Sequence, residues 1–375
     1  MRRLTLAFCL LAGACASVHS ELPSVERAAL DDERLTVQRA AVEEALARDE
    51  RVRRLAWPLL TANTELCEKT APRIGVRLGD VDVVASAARG LRKSQVEALG
   101  FSDEPFILSV APGSPAAEAG LTPLTKVLRI GNAEEDIATA ADFGAQYADA
   151  LKRYEDDEED GILFTVEQDG AERQLAVVPA LACDIEVVSS GANEINARAT
   201  FKTITIYAGL VRALEENDDA LAFVIGHEIA HVAGRHPHKG LRNAAVTGAL
   251  AWAPPLIVAS TAADFVAYPL ARRFGAKAPP FSTLATKGIA RTVGSTDFER
   301  EADYLGLYML ARAGRPTDRV PEVFQLFANV SPRSSWLQVT HPVVPERTLR
   351  LRLAAEEIAA KRAAGQELVP EGWEE

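Results

Sequence analysis

The sequence predicts an α+β protein: a helical N-terminal segment, a β-rich middle and a mainly helical C-terminal half with a small sheet. Three observations lead to this. Between about Ser24 and Leu66, apolar residues recur at helical spacing, for example Val42, Ala45 and Leu46, then Val52, Leu55 and Leu59. From about Pro72 to Pro179 the chain is built of short β-like runs: Arg73–Leu78, Phe106–Val110, Lys126–Ile130, Ile162–Gln168 and Gln174–Val178. From about Asp184 to Ala360, a histidine-rich helical pattern is followed by one rich in carboxylates. The expected divisions are residues 1–16, 24–66, 70–181 and 184–360.

The first of these is a leader. MRRLTLAFCLLAGACAS carries two arginines, an apolar run from Leu4 to Ala12 and then small residues, the pattern of a secretory signal peptide. LAGAC also resembles a lipoprotein processing box with Cys15 as the lipidated residue, although Ala12 stands where Leu is usual. Ala12-Gly13-Ala14 and Ala14-Cys15-Ala16 serve equally as ordinary cleavage sites. Export to the periplasm is the expectation, with anchorage to the outer membrane through lipid as an option.

The chain has 375 residues, 48% of them hydrophobic and 25% charged, with a net charge of −12. That is ordinary for a globular protein. No basic stripe is present, which excludes nucleic acid as a partner. After the leader, Cys67 and Cys183 remain. In an oxidising compartment such a pair commonly forms a disulfide, the alternative being two buried thiols.

The 24–66 segment reads as one long amphipathic helix or two, most simply a solvated stalk without chemistry. In the β-rich middle, the acidic run Glu155–Asp160 reads as an exposed loop. VAPGSPAAEAGL, Val110 to Leu121, places a Gly/Pro turn before a short Ala-rich helix that starts at Ser114-Pro115.

Chemistry concentrates in HEIAHVAGRHPH, His227 to His238, which holds four of the six histidines. His227-Glu228-Ile229-Ala230-His231 is an HExxH motif. Residues i and i+4 of a helix share a face, so both imidazoles can grip one zinc ion while Glu228 stands beside it to take a proton from water. DDALAFVIG precedes the motif, with Asp218 or Asp219 as the expected N-cap.

A catalytic zinc needs three protein ligands and an open fourth place. A third histidine at HExxHxxGxxH spacing is missing: Gly234 is in place, but Pro237 occupies the position. His236 and His238 flank it, each about 100° off the required face, and read as polar residues of a helix end. The other source is Ser295–Asp303, which opens a second helix that Gly314 and Pro316 stop. Glu299 and Asp303 share a face there. Glu299 completes a His-His-Glu set, with Asp303 orienting a ligating histidine. Alternatively Thr296-x-x-Glu299 is a capping box, and Glu301 is the rival ligand.

Two resemblances bear on these choices. The stretch around VAPGSPAAEAGL resembles the PDZ domains of bacterial secreted proteases, although their usual Gly-Asp pair is absent from TPLTKVLRIG. It implies a PDZ-like domain over 70–181 that binds extended peptide ends, with a Cys67–Cys183 bridge clamping its base. GHEIAHVAGRH, EREAD, THPVVPER at Thr340–Arg347 and the upstream NEINARATFKTITIYAGLV resemble the HExxH zinc endopeptidases of the CAAX prenyl protease, HtpX, Oma and β-barrel assembly-enhancing group, in its exported branch. That resemblance covers about Asp184 to Leu353 and implies a gluzincin-type zinc metallopeptidase domain at 184–360.

The second resemblance has specific implications. Glu299 is the third ligand beside His227 and His231, one Zn2+ is bound per chain, and His341 is a candidate regulatory or transition-state residue near the zinc. The implied activity is hydrolysis of peptide bonds in unfolded or misassembled envelope proteins by a Glu228-activated water, with protein or peptide substrates as partners. The Asn193–Tyr207 segment is expected to offer an edge strand to extended substrate. The other expectation is a chaperone-like or peptide-binding PDZ module with a resting or inactive zinc site. Finally, the apolar stretch Asn243–Leu270 is long enough to touch a bilayer, but Pro254-Pro255 breaks it; a helical hairpin over the cleft is expected, with membrane contact as the second option.

Overall fold

A computed structural model describes residues 23–88, 90–246, 296–324, 341 and 344–373. The expected leader with Cys15, and the Asn243–Leu270 stretch from residue 247 onward, lie outside the described residues.

The N-terminal segment forms a single helix, α1 (Arg27–Thr61), of 35 residues. It is not the solvated stalk expected from its sequence. Its first turns are exposed, but Val42, Ala45, Val52, Leu55, Leu59 and Leu60 are buried. Burying one such side chain contributes about 1.5–3 kcal/mol, so this face docks on the rest of the chain rather than facing water. After it come β1 (Thr70–Arg73), β2 (Val76–Gly79) and two short helices, α2 (Val81–Ala87) and α3 (Lys93–Glu97).

The β-rich middle continues with β3 (Phe106–Val110), α4 (Pro115–Glu118), β4 (Lys126–Ile130), α5 (Ala140–Glu155), β5 (Ile162–Gln168), β6 (Ala171–Val177) and β7 (Ala180–Cys183). Strands β2 to β6 form one antiparallel sheet in chain order. The run Arg73–Leu78, expected as one strand, is split in two. Gly75 adopts φ +82, and a Cβ there would meet Ser114 Cβ at 2.3 Å. The chain turns at this glycine. β1 then pairs antiparallel with β7, and β2 with β3. Ser114 caps α4 by accepting from the Ala117 amide at 3.3 Å. Helix α5, not expected from the sequence pattern, starts at a Thr139/Asp142 capping box.

Thr70 lies opposite Cys183 in the β1–β7 ribbon, and Cys67 and Cys183 are disulfide-bonded. The bond therefore sits where the chain enters and leaves the β-rich portion.

The C-terminal half starts with β8 (Glu186–Ser190), β9 (Ala197–Ala199) and β10 (Thr203–Tyr207). Their order is β8-β10-β9, with β10 parallel to β8 and antiparallel to β9, so β9 is an edge strand and β10 is central. Next come α6 (Ala208–Ala213), α7 (Asp218–Ala233) and α8 (His236–Val246), then α9 (Thr296–Arg312) and α10 (Pro345–Ala363). Almost every residue of α7 from Ala220 onward is buried, which makes it the central helix of the main core. α1, β8–β10, α9 and α10 contribute to that core. Buried Asp49 of α1 ties the two sheets together: Ser109 of β3 donates to it at 2.6 Å, Ser189 of β8 at 2.9 Å, and Arg77 of β2 pairs with it. Among the described residues, no helix is long and apolar enough to cross a membrane.

Candidate metal centre

The site is made where α7 and α9 cross. Asn217 caps α7, accepting from the Ala220 amide at 2.9 Å. The expected Asp218 or Asp219 cap is thus corrected by one position. Both aspartates fall in the first turn, where negative charge suits the helix dipole. Asp218 pairs with Arg51 and Arg54, and Asp219 with Arg315. Contact between α7 and α9 is close because each contributes a glycine at the crossing, Gly226 and Gly306.

One helical turn apart on α7, His227 and His231 bring their Nε2 atoms to 3.0 Å of each other. Glu299, at the start of α9, turns toward them rather than toward its own helix end. Its Oε1 lies 3.3 Å from His231 Nε2 and its Oε2 3.5 Å from His227 Nε2. His341 closes the fourth side, with Nδ1 at 2.9 Å from Glu299 Oε2 and Nε2 at 3.4 Å from Glu228 Oε1. One donor atom from each of His227, His231, Glu299 and His341 falls within a 4.8 Å group. Glu228 is 2% exposed and borders the same space. The rival residue, Glu301, points elsewhere: its Oε2 accepts from His236 Nε2 at 2.9 Å.

Behind His227, Asp303 Oδ1 stands 3.0 Å from Nδ1. That is an ion-pair distance without hydrogen-bond alignment, since Nδ1 is buried without a well-directed partner. Asp303 is held from the far side by Arg347 of α10, which donates through Nε at 2.6 Å and Nη2 at 2.8 Å. The guanidinium is itself buried, lies over the Phe324 ring and reaches Glu299 Oε2 at 3.3 Å. Arg347 was not singled out from sequence. Its signal was present, because it ends the THPVVPER stretch.

His236 departs further from expectation. Expected at a polar helix end, it is 2% exposed. Gly234 ends α7, Arg235 takes φ +56, and the turn folds the His236 ring back under the site. There it stacks on Phe298, with ring centroids 4.6 Å apart and planes 12° apart, and its Nδ1 lies 2.8 Å from His231 Nδ1. The one-residue offset that removes it from the metal face is what places it behind the ligand. His238 is exposed and packs edge-on against Phe201.

The electrostatics suit a cation. Burial disfavours a charged His227, but the Asp303 and Glu299 carboxylates push its pKa up to about 10. Burial lowers His231. Burial opposes ionisation of Glu299, yet His341, His231 and His227 hold its carboxyl well below the ordinary range. Two buried carboxylates thus recruit positive charge from whatever is near. Two imidazole nitrogens and one carboxylate oxygen converging on one point are the donor chemistry of a catalytic zinc site, so these residues fit the metal.

A helix presenting HExxH, crossed by a second helix that delivers a carboxylate, defines the class: an HExxH-type metallopeptidase scaffold. Residues 173–355 match Peptidase family M48. It is 26% identical over 170 residues to the beta-barrel assembly-enhancing protease of Escherichia coli (strain K12), and equally to that of Shigella flexneri. The matched stretch is 44% of this chain and 33% of each relative, so the chain spans about a third of the length of the curated relatives it matches. A crystal structure of the HtrA3 PDZ domain bound to a phage-derived ligand aligns at 15% identity, over 30% of this chain and 88% of that one. Its TM-score is 0.21, too low to carry weight.

Proposed function

We propose that the protein is a zinc metalloendopeptidase that hydrolyses peptide bonds of unfolded or misassembled envelope proteins. The observation that carries this reading is the convergence of His227, His231 and Glu299 on one point, with buried Glu228 at its edge. His227 and His231 through Nε2, and Glu299 through its carboxylate, would hold one Zn2+. When bound, zinc acidifies water and polarises a carbonyl. Glu228 takes a proton from the attacking water on its carboxylate and returns it to the leaving amine nitrogen. Asp303, gripped by Arg347, keeps His227 in one orientation.

Extended substrate would pair with the outer edge of β9, which runs beside α7. This favours unfolded chains, whose backbone is available for pairing. The PDZ-like portion would take substrate ends. The family's name and that of the relatives support a protease; the envelope substrates and a periplasmic location are part of the proposal.

A second reading is favoured by one contact. His341 sits on the fourth side of the donor group and faces Glu228. In that arrangement the protein rests, as a chaperone-like or peptide-binding module, until His341 withdraws. Casein cleavage by the mature protein, abolished by a chelator and restored by one equivalent of zinc, supports the protease. Stoichiometric zinc without cleavage, in wild type and His341→Ala alike, supports the binding module instead.

A further inference from the structure

Each of the two metal-site histidines uses Nε2 toward the shared point, which leaves Nδ1 to be held from behind. For His227 that partner is Asp303. For His231 it is the imidazole of His236, with Nδ1 facing Nδ1 at 2.8 Å. Two facing ring nitrogens make a hydrogen bond only if one carries the proton and the other accepts it. With Zn2+ held at its Nε2, as proposed above, His231 would keep its proton on Nδ1. His236 then accepts at Nδ1 and carries its own proton on Nε2, where Glu301 Oε2 stands 2.9 Å away to take it. The direction of the chain is thereby set: His231 Nδ1–H to His236 Nδ1, and His236 Nε2–H to the Glu301 carboxylate.

We propose that His236 is a positioning residue for the metal site, fixing the tautomer and ring orientation of His231 through this imidazole chain that ends on Glu301. The local backbone is arranged around that role. A Cβ at Gly234 would meet His236 Nε2 at 2.6 Å, so the ring can lie under the helix end only with glycine there. Arg235 takes a left-handed φ of +56, a conformation a non-glycine residue rarely adopts, to turn the ring back. Phe298 covers the ring face, and Phe298 precedes Glu299 directly, so the carboxylate ligand and the cover of the positioning ring come from one turn of α9. Glu301 is the half-buried end of the chain, with Lys239 4.0 Å from the same oxygen. A carboxylate acceptor makes a histidine a better hydrogen-bond acceptor at its other nitrogen, and His231 in turn a more basic ligand.

This inference rests on the zinc reading proposed above, and its test separates the two. Zinc dissociation constants are measured by competition with a chelator for wild type, His236→Leu, His236→Asn and Glu301→Ala, alongside thermal unfolding of each metal-free protein. Loss of such a partner typically weakens metal binding by about 10–100-fold. His236→Leu is expected in that range, while His236→Asn, whose amide can accept from His231 and donate to Glu301, recovers most of it. Glu301→Ala, at a half-buried site on the helix surface, is expected to weaken zinc several-fold with a nearly unchanged metal-free unfolding temperature. In parallel, long-range nitrogen–proton NMR of zinc-loaded wild type should show the His231 proton on Nδ1. If wild type binds zinc and His236→Leu binds it within twofold, or if the Asn variant falls as far as Leu, His236 is packing only. Should His236→Leu fail to fold, an unchanged zinc affinity in Glu301→Ala overturns the chain by itself. If wild type binds no zinc, the metal reading fails first and this one with it.

Discussion

Gly306 of α9 lies directly against the backbone of His227: a Cβ on Gly306 would stand 2.9 Å from both the amide nitrogen and the Cα of His227. Gly226, one residue earlier on α7, faces the Gly306 carbonyl, and a Cβ there would stand 3.1 Å from it. The crossing is therefore set by two absent side chains, and the same crossing decides how near Glu299 comes to the histidines. Gly306→Ala is expected to force the helices apart, at a cost of about 1–3 kcal/mol from overpacking. Thermal unfolding and zinc titration should both register it. A Gly306→Ala protein with wild-type zinc affinity would mean that Glu299 reaches the site by some other tether.

Arg347 and Asp303 form a buried pair whose value shows when one half is removed. Arg347→Met keeps the length and the packing on Phe324 but leaves the buried Asp303 carboxylate with His227 and without its guanidinium, which should destabilise the fold by about 3–5 kcal/mol. Burial raises the Asp303 pKa, but Arg347 outweighs it and holds the carboxyl below its ordinary 3.8. A depressed folded pKa contributes stability that is present above the ordinary value and lost as pH falls through the lower folded one. Unfolding midpoints measured from neutral pH down past pH 3.8 should fall less steeply in Asp303→Asn than in wild type. Parallel acid limbs in the two proteins would show that Asp303 has no such role.

The Cys67–Cys183 bond closes a loop with a sequence separation of 116. Loops of that size give a stabilisation of about 4–5 kcal/mol in the chain-entropy treatment. The bond also holds β1 and β7 together at the point where α1 ends. Cys67→Ser/Cys183→Ser, or the reduced wild type, should unfold at a clearly lower temperature in calorimetry. Equal unfolding temperatures with and without reductant would show that the ribbon and the core of α1 suffice.

For His341, two outcomes are distinguished by rate. If it rests in the donor group and must leave, His341→Ala cleaves casein faster than wild type. If it assists the reaction once substrate is bound, the same variant is slower by about 10²-fold or more, on the scale of one lost transition-state hydrogen bond. An unchanged rate would assign it neither role.

Much of the molecule was legible in its residues. The HExxH helix could be read because two histidines four apart need only the 3.6-residue period to share a face. Strands β3, β4 and β5 begin and end at the expected residues, since Gly, Pro and Asp punctuate short apolar runs. What local patterns missed depends on tertiary neighbours. The turn at Gly75 exists because Ser114, 39 positions later, occupies the space a side chain would need. The docking of α1 is hidden from the local pattern because Arg48 and Asp49, which look solvated in sequence, are buried with partners on other elements. The place of His236 is hidden for a related reason: helical phase excludes it from the metal face, but the chain leaves helical phase at Arg235.

In the proposed mechanism Glu228 acts beside a metal held by His227, His231 and Glu299. The decisive comparison is zinc content beside casein cleavage for wild type, Glu228→Gln and Glu299→Gln. About one zinc and cleavage are expected in wild type, the same zinc without cleavage in Glu228→Gln, and loss of zinc in Glu299→Gln. Equal zinc in all three with no cleavage in any would overturn the mechanism, and would leave Glu299 as a buried partner of the histidines in a binding protein.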